Sequence, residues 1–118
     1  MAFDEGLYAL AQEFLEPLGR VSMRRMMGAA VLYLDGTVFA VIDDRIWFKS
    51  DPESDAEWDA AGCERFSFTG KDGKVETMNY RRAPDDVYDD AEAMQRWASL
   101  AVAAGLRSAA RKKPRKKA

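Results

Sequence analysis

Residues 22–36, SMRRMMGAAVLYLDG, place two adjacent arginines among methionines just before an apolar run. Guanidinium groups bind carboxylates and phosphates through paired hydrogen bonds, and methionine side chains adapt to apolar partners. Because neighbours in a strand point to opposite faces of the sheet, Arg24 and Arg25 are expected to serve different sides. We expect one to pair with an acid at the start of the last helix, on the helix-covered face, and the other to project into solvent. A structural ion pair is favoured over a ligand anchor.

The sequence has no histidine and one cysteine, Cys63. The commonest general base, the Ser–His and Cys–His nucleophile pairs and the usual zinc ligands are therefore missing. Glu64 beside Cys63 disfavours a thiolate, so an inert thiol is favoured over a reactive one. The sequence predicts no catalytic residue, no metal site and no cofactor.

Carboxylates, lysine and tyrosine are the groups left for catalysis. The acids that precede the last helix are Asp85, Asp86, Asp89 and Asp90. They could bind a divalent cation, but capping and solvation at a helix start is the favoured interpretation. An enzyme built on carboxylate, lysine or tyrosine chemistry, with Lys49 and Tyr80 as members, is the least favoured function class.

The charge is distributed unevenly along the 118 residues, whose net charge is −2. Six of the 18 basic residues lie at the end: Arg111, Lys112, Lys113, Arg115, Lys116 and Lys117. Outside that run, 12 basic residues stand against 20 acidic ones, so the rest carries −8. We predict a domain over residues 1–110 and a basic disordered tail over 111–118. A solubilising tail is favoured over one that binds nucleic acid. If the tail does bind nucleic acid, we expect no recognition of a specific base sequence.

Composition and length indicate one folded domain, with 47% hydrophobic and 32% charged residues. A lone cysteine fits a reducing compartment. The first residues, MAFDEGLYAL, lack the basic flank of a signal peptide, and no apolar run approaches about 20 residues. We predict a cytoplasmic protein that has no membrane segment.

Hydrophobic periodicity predicts a helix over residues 5–18 with Asp4 as its N-cap. Four short β-branched and aromatic segments follow: VSMRRMM, AAVLYLD, TVFAVID and RIWFKS. Asp35-Gly36 is a strong signal for a two-residue hairpin turn. These segments predict an antiparallel meander.

A second helix is predicted where Asp51 can act as cap and Pro52 can occupy the first helical position, with Trp58 and Ala61 facing inward. Residues 64–70 and 73–81 alternate in polarity and predict two more strands with one covered face. Asp89 is predicted to cap the last helix. The apolar stripe of that helix comprises Met94, Trp97, Ala98, Ala101, Val102 and Leu106.

The order of elements is α-β(3-4)-α-β(2)-α. It predicts an α+β fold, a two-layer sandwich in which an antiparallel sheet of about five or six strands carries helices on one face.

Several of these motifs, in the same order, resemble the N-terminal domain of the TfoX/Sxy family. They are Arg24-Arg25-Met26-Met27-Gly28, Leu32-Tyr33-Leu34-Asp35-Gly36, Phe39-Ala40, Trp47-Phe48-Lys49-x-Asp51, Met78-x-Tyr80, Pro84 and Asp89-Asp90…Trp97. The resemblance spans about residues 4–106. It departs from the family pattern at Met27 and Ala29, where Phe and Gly are usual, and at Arg81, where an aromatic residue is common.

The resemblance implies a fold akin to type III secretion chaperones. Full-length TfoX-like regulators carry a second, helical domain and activate competence genes with the cyclic-AMP receptor protein. The favoured function is therefore a non-enzymatic regulatory module that binds a protein partner, with a homodimer as one possibility. The alternative is a DNA-associated accessory protein that uses the basic tail. The candidate partner-binding residues are Arg24, Arg25, Met26, Met27 and Lys49.

Overall fold

The computed structural model describes residues 4–26 and 28–112. The chain forms three α-helices, α1 (Glu5–Phe14), α2 (Asp55–Ala60) and α3 (Ala91–Lys112), and a short 3-10 helix (Asp85–Tyr88). The strands are β1 (Val21–Met26), β2 (Ala29–Leu34), β3 (Thr37–Ile42), β4 (Ile46–Lys49), β5 (Arg65–Thr69) and β6 (Val75–Arg82). The predicted order of elements is confirmed, with four strands before α2 and two after it.

The first helix begins as predicted and ends earlier than predicted. The carboxylate of Asp4 accepts hydrogen bonds from the backbone N–H groups of Gly6 (2.9 Å) and Leu7 (3.2 Å), so it caps the helix. The helix ends at Phe14, not at residue 18. Pro17 accounts for the difference, because proline disfavours helical backbone in the residue before it.

All six strands form one antiparallel sheet in the order β1-β2-β3-β4-β6-β5. The β2–β3 hairpin turns at Asp35-Gly36, where both residues have positive φ (49° and 86°), as the sequence predicts. The chain leaves the sheet after β4, forms α2 and returns as the edge strand β5. Strand β6 then lies between β5 and β4.

The three helices pack on one face of this sheet, as predicted. A line of aromatic rings joins the layers, with centroids 5.8 Å apart from Phe48 to Trp58 and 4.8 Å apart from Trp58 to Trp97. Helix α3 contacts β3 and β4, and α1 contacts α3 and β1. The fold is therefore an α+β sandwich of two layers.

The second helix begins three residues after the predicted first position, Pro52. Asp51 and Ser54 form a turn in which each side chain accepts a hydrogen bond from the other residue's backbone N–H at 3.1 Å. The helix begins only at Asp55, after that turn is complete. Trp58 is fully buried as predicted, but Ala61 is exposed because the helix ends before it.

Helix α3 is capped one residue later than predicted. The carboxylate of Asp90, not that of Asp89, accepts from the N–H groups of Glu92 (3.0 Å) and Ala93 (3.2 Å). The predicted apolar stripe is mostly buried, but Leu106 is 55% exposed because it points away from the sheet.

The last helix also includes two residues of the predicted tail, Arg111 and Lys112. The backbone at these positions is helical, and the Arg111 side chain is exposed. Lys113, Arg115, Lys116 and Lys117 lie outside the described residues. Over residues 4–26 and 28–112, no helix is both long and apolar enough to cross a membrane.

Candidate functional site

The face of the sheet opposite the helices is covered by no element of the described chain, and we call it the uncovered face. Its central row follows the strand register across five strands. The side chains in this row are Arg24, Val31, Val41, Trp47 and Arg82. Three apolar residues are thus flanked by a cation at each end, on β1 and on β6.

An apolar groove of about 320 Å³ lies on the uncovered face. It is lined by Met26, Gly28, Ala29, Val41, Asp43, Trp47, Phe66, Met78 and Tyr80. Met26 is 52% exposed and Met78 is 44% exposed, so flexible apolar side chains form its two sides. Methionine suits a surface that must adapt to the shape of a partner.

Trp47 and Phe66 form the aromatic floor of the groove. Their ring centroids are 5.0 Å apart and the rings are nearly perpendicular, at 83°. The indole N–H of Trp47 donates to Asp43 Oδ1 (3.2 Å), which also accepts from the backbone N–H of Arg45 (3.1 Å). The acid in the groove therefore fixes the orientation of Trp47.

Phe68 extends the apolar surface beyond the groove. It is 41% exposed, and its ring centroid lies 6.3 Å from that of Phe66. The alternation in residues 64–70 correctly predicts a strand, but the apolar side of β5 is the uncovered side. Arg65 points toward the helices instead, because Asp55 of α2 accepts its hydrogen bond there (3.1 Å).

Lys49 and Tyr80 are neighbours on the uncovered face. They face each other across β4 and β6, and the Lys49 ammonium lies 5.3 Å from the centroid of the Tyr80 ring. Burial is the main cause that raises the pKa of the Tyr80 phenol, with a smaller contribution from Tyr33. A raised pKa leaves less of the phenol ionised near neutral pH, so less phenolate is present to act as a base. The pair is arranged for a cation–π contact more than for proton transfer.

Arg24 and Arg25 lie on opposite faces of the sheet, as strand geometry requires. Arg25 shares the helix-covered side of β1 with Val21 and pairs weakly with Glu5 (3.8 Å), both side chains being largely exposed. The partner acid therefore belongs to α1, not to the last helix as expected, because β1 lies next to α1. Arg24 points to the uncovered face.

Among the predicted partner-binding residues, Arg24, Met26 and Lys49 thus share the uncovered face, while Arg25 lies on the opposite side. Met27 lies outside the described residues. The prediction missed Trp47, Phe66 and Met78. Their strand alternation was visible in the sequence, but alternation alone does not say which face the helices cover.

The strongest charge interactions lie on the other side of the sheet, around α2. Arg81 is 3% exposed and donates to Asp59 (2.8 Å), Asp55 (3.1 Å) and the Cys63 carbonyl oxygen (2.9 Å). Arg107 of α3 donates to both carboxylate oxygens of Asp51 (2.6 and 2.9 Å). These pairs attach α2 and α3 to the sheet, which is a structural role.

Cys63 is buried, and the acidic cluster lies at the 3-10 helix and the start of α3. Burial is the main cause that raises the pKa of the Cys63 thiol, so the thiol stays protonated. Asp90 caps α3, and Asp85 and Asp86 belong to the 3-10 helix. Across the described residues, no group of three or more acidic or cysteine side chains is placed to hold a metal ion.

Comparison with known proteins gives the family. The model of the TfoX N-terminal domain matches residues 13–105. The protein named DNA transformation protein TfoX1, from Aliivibrio fischeri (strain ATCC 700601 / ES114), is 34% identical over 68 residues. That match covers 57% of this chain and 32% of the relative, so the chain spans about a third of the length of the curated relative it matches. The chain belongs to the TfoX N-terminal domain family.

Proposed function

We propose that this chain is a non-enzymatic regulatory module that binds a protein partner through its uncovered face. The observation that carries the proposal is the apolar groove between Met26 and Met78, with Trp47 and Phe66 as its floor. Exposed and contiguous apolar surface of this kind is typical of interaction sites, because leaving it in water is unfavourable.

The chemistry of the face supports binding over catalysis. Its aromatic and methionine side chains are residue types enriched at the centres of protein interfaces. Two of the ionisable groups on it make contacts within the chain, because Asp43 accepts two hydrogen bonds and Lys49 contacts the Tyr80 ring. We place this activity in the cytoplasm, where a lone buried thiol fits the reducing conditions.

Family membership supports a regulatory role. The matched relative is named for DNA transformation, and the proposal extends a role in competence regulation to this chain. The partner would then be a component of the transcription machinery or a regulator that acts with it.

The proposal is tested by affinity capture from the native cell with a matched pair of variants. Met78→Asp places a charge in the groove at a site that is 44% exposed, so it is expected to fold. Leu106→Asp places the same charge on α3, at a site that is 55% exposed. We expect Met78→Asp to lose the partner and Leu106→Asp to retain it. Equal capture by the two variants would contradict the proposal.

A second copy of the chain is one possible partner. Light scattering during size-exclusion chromatography distinguishes this case, because a homodimer through the uncovered face would dissociate in Met78→Asp. A monomer that captures no protein at any concentration would overturn the proposal entirely.

The alternative is a DNA-associated accessory protein that uses the basic residues of 111–117. Its support is the concentration of six basic residues in 111–117, of which Arg111 and Lys112 belong to α3. The capture experiment is therefore repeated with and without residues 111–118. Six phosphate contacts would give DNA binding a salt slope of about −5, and deleting the tail should abolish it. DNA binding that survives the deletion would rule out the tail as its cause.

A further inference from the structure

We propose that the uncovered face binds an acidic segment of the partner, in which an apolar anchor is flanked by carboxylates. This inference rests on the proposed function and specifies the chemistry of the partner. The groove takes the anchor, and the basic side chains around it take the carboxylates.

The register of the sheet provides the first argument. The central row of the uncovered face begins at Arg24 and ends at Arg82, with Val31, Val41 and Trp47 between them. Four strand spacings separate the backbone positions of Arg24 and Arg82, a distance of about 19 Å. An extended peptide covers that distance in roughly six residues, so a short segment can reach both cations.

Local charge provides the second argument. Lys49 adds a third cation to the face, beside Tyr80. Arg82 makes a long, exposed pairing with Glu64 (3.8 Å), which a carboxylate at shorter distance can replace. Asp43, the acid of the groove, accepts hydrogen bonds from the Arg45 backbone N–H and the Trp47 indole N–H. Arg24, Lys49 and Arg82 thus give this face cations that attract carboxylates.

The groove provides the third argument, because it requires apolar side chains. Met26 and Met78 line it from opposite sides, and Asp43, which also lines it, accepts a hydrogen bond from the indole N–H of Trp47. A segment that is acidic throughout would leave this surface in water. The fitting ligand therefore combines aliphatic or aromatic residues with acids placed outside them.

Single-stranded nucleic acid also combines negative charge with apolar rings, but the face suits it less well. Bases need open aromatic faces to stack on. Here Trp47 and Phe66 pack edge to face, and the Lys49 ammonium covers the Tyr80 ring. Nucleic acid is therefore an outcome of the test, not the proposal.

The test is selection of a random peptide display library on the immobilised full chain, with counter-selection on Met78→Asp. Peptides that need the groove are then synthesised with their acids intact and with Asn and Gln replacing them. We expect enrichment of net-acidic peptides with apolar centres, and affinity about tenfold lower after the acids are replaced. The double variant Arg24→Glu/Arg82→Glu should bind the acidic peptides about tenfold more weakly than wild type. Lys71→Glu, in the β5–β6 turn, is the control and should bind them with unchanged affinity.

Three outcomes would overturn the inference, and they are distinguishable from failure of the proposed function. If the selected groove-dependent peptides are neutral or basic, the docking surface is supported but its preference for acids is refuted. Tighter groove-dependent binding of oligothymidylate than of any selected peptide would reassign the face to nucleic acid. A selection in which no peptide depends on Met78 would contradict the docking surface itself.

Discussion

At the scale of single residues, the charges of this protein divide between structure and surface. Asp51 is 4% exposed and lies just after β4, where the chain leaves the sheet. Arg107 of α3 donates two hydrogen bonds to its carboxylate. The Arg107 hydrogen bond is the largest of the causes that lower the pKa of Asp51 from 3.8 to about 2. A buried carboxylate that loses its cation keeps the cost of desolvation but loses the attraction that offset most of it.

The first prediction concerns this pair. Arg107→Met should destabilise the protein by about 3 kcal/mol near neutral pH, because it leaves the Asp51 charge buried and unpaired. Arg111→Met, one turn later on α3 and exposed, is the control and should change the free energy of unfolding by less than about 0.5 kcal/mol. Denaturant unfolding measures both. If Arg107→Met lowers the free energy of unfolding by no more than Arg111→Met does, the Asp51–Arg107 pair does not stabilise the fold.

The same pair predicts a dependence of stability on pH. Because the pKa of Asp51 is lower in the folded chain than in the unfolded chain, its contribution is present above about pH 4 and is lost as the pH falls toward 2. The difference in unfolding free energy between wild type and Arg107→Met should therefore shrink over that range. A difference that stays constant with pH would contradict the assignment.

At the scale of elements, close approach between α3 and β3 determines how the helix layer sits. Gly105 is within α3, and a Cβ atom there would lie inside contact distance of the Val38 carbonyl oxygen and close to the Thr37 side chain. The sequence predicted this helix but not this contact, since a glycine in a helix pattern gives no information about what it faces.

The element prediction is that Gly105→Ala destabilises the protein by about 2 kcal/mol, although alanine is the better helix former. The backbone of β3 cannot move aside as a flexible side chain could. Ser99→Ala, at an exposed position of the same helix, should be neutral or slightly stabilising. Thermal or denaturant unfolding compares the two. A stabilised Gly105→Ala protein would show that α3 and β3 are less closely packed than described.

At the scale of the whole molecule, local signals predict more of the fold than of the site. Turn residues such as Asp35-Gly36 fix the hairpins, and periodicity identifies the helices, because both depend on nearby residues. The face that the helices cover depends on contacts between distant residues. Arg65 faces the helices because Asp55 lies there, and Phe66 consequently joins the uncovered face. Trp47 and Met78 therefore could not be assigned to a common groove from the sequence.

Site-specific photo-crosslinking in the native cell tests whether the uncovered face binds a protein partner, as we propose. A photoreactive amino acid replaces Met78 in one version of the chain and Leu106 in another, since both positions are exposed and lie on different elements. We expect a discrete crosslinked protein adduct from position 78 and none from position 106. Adducts from position 106 alone, or the same adducts from both positions, would contradict the proposal.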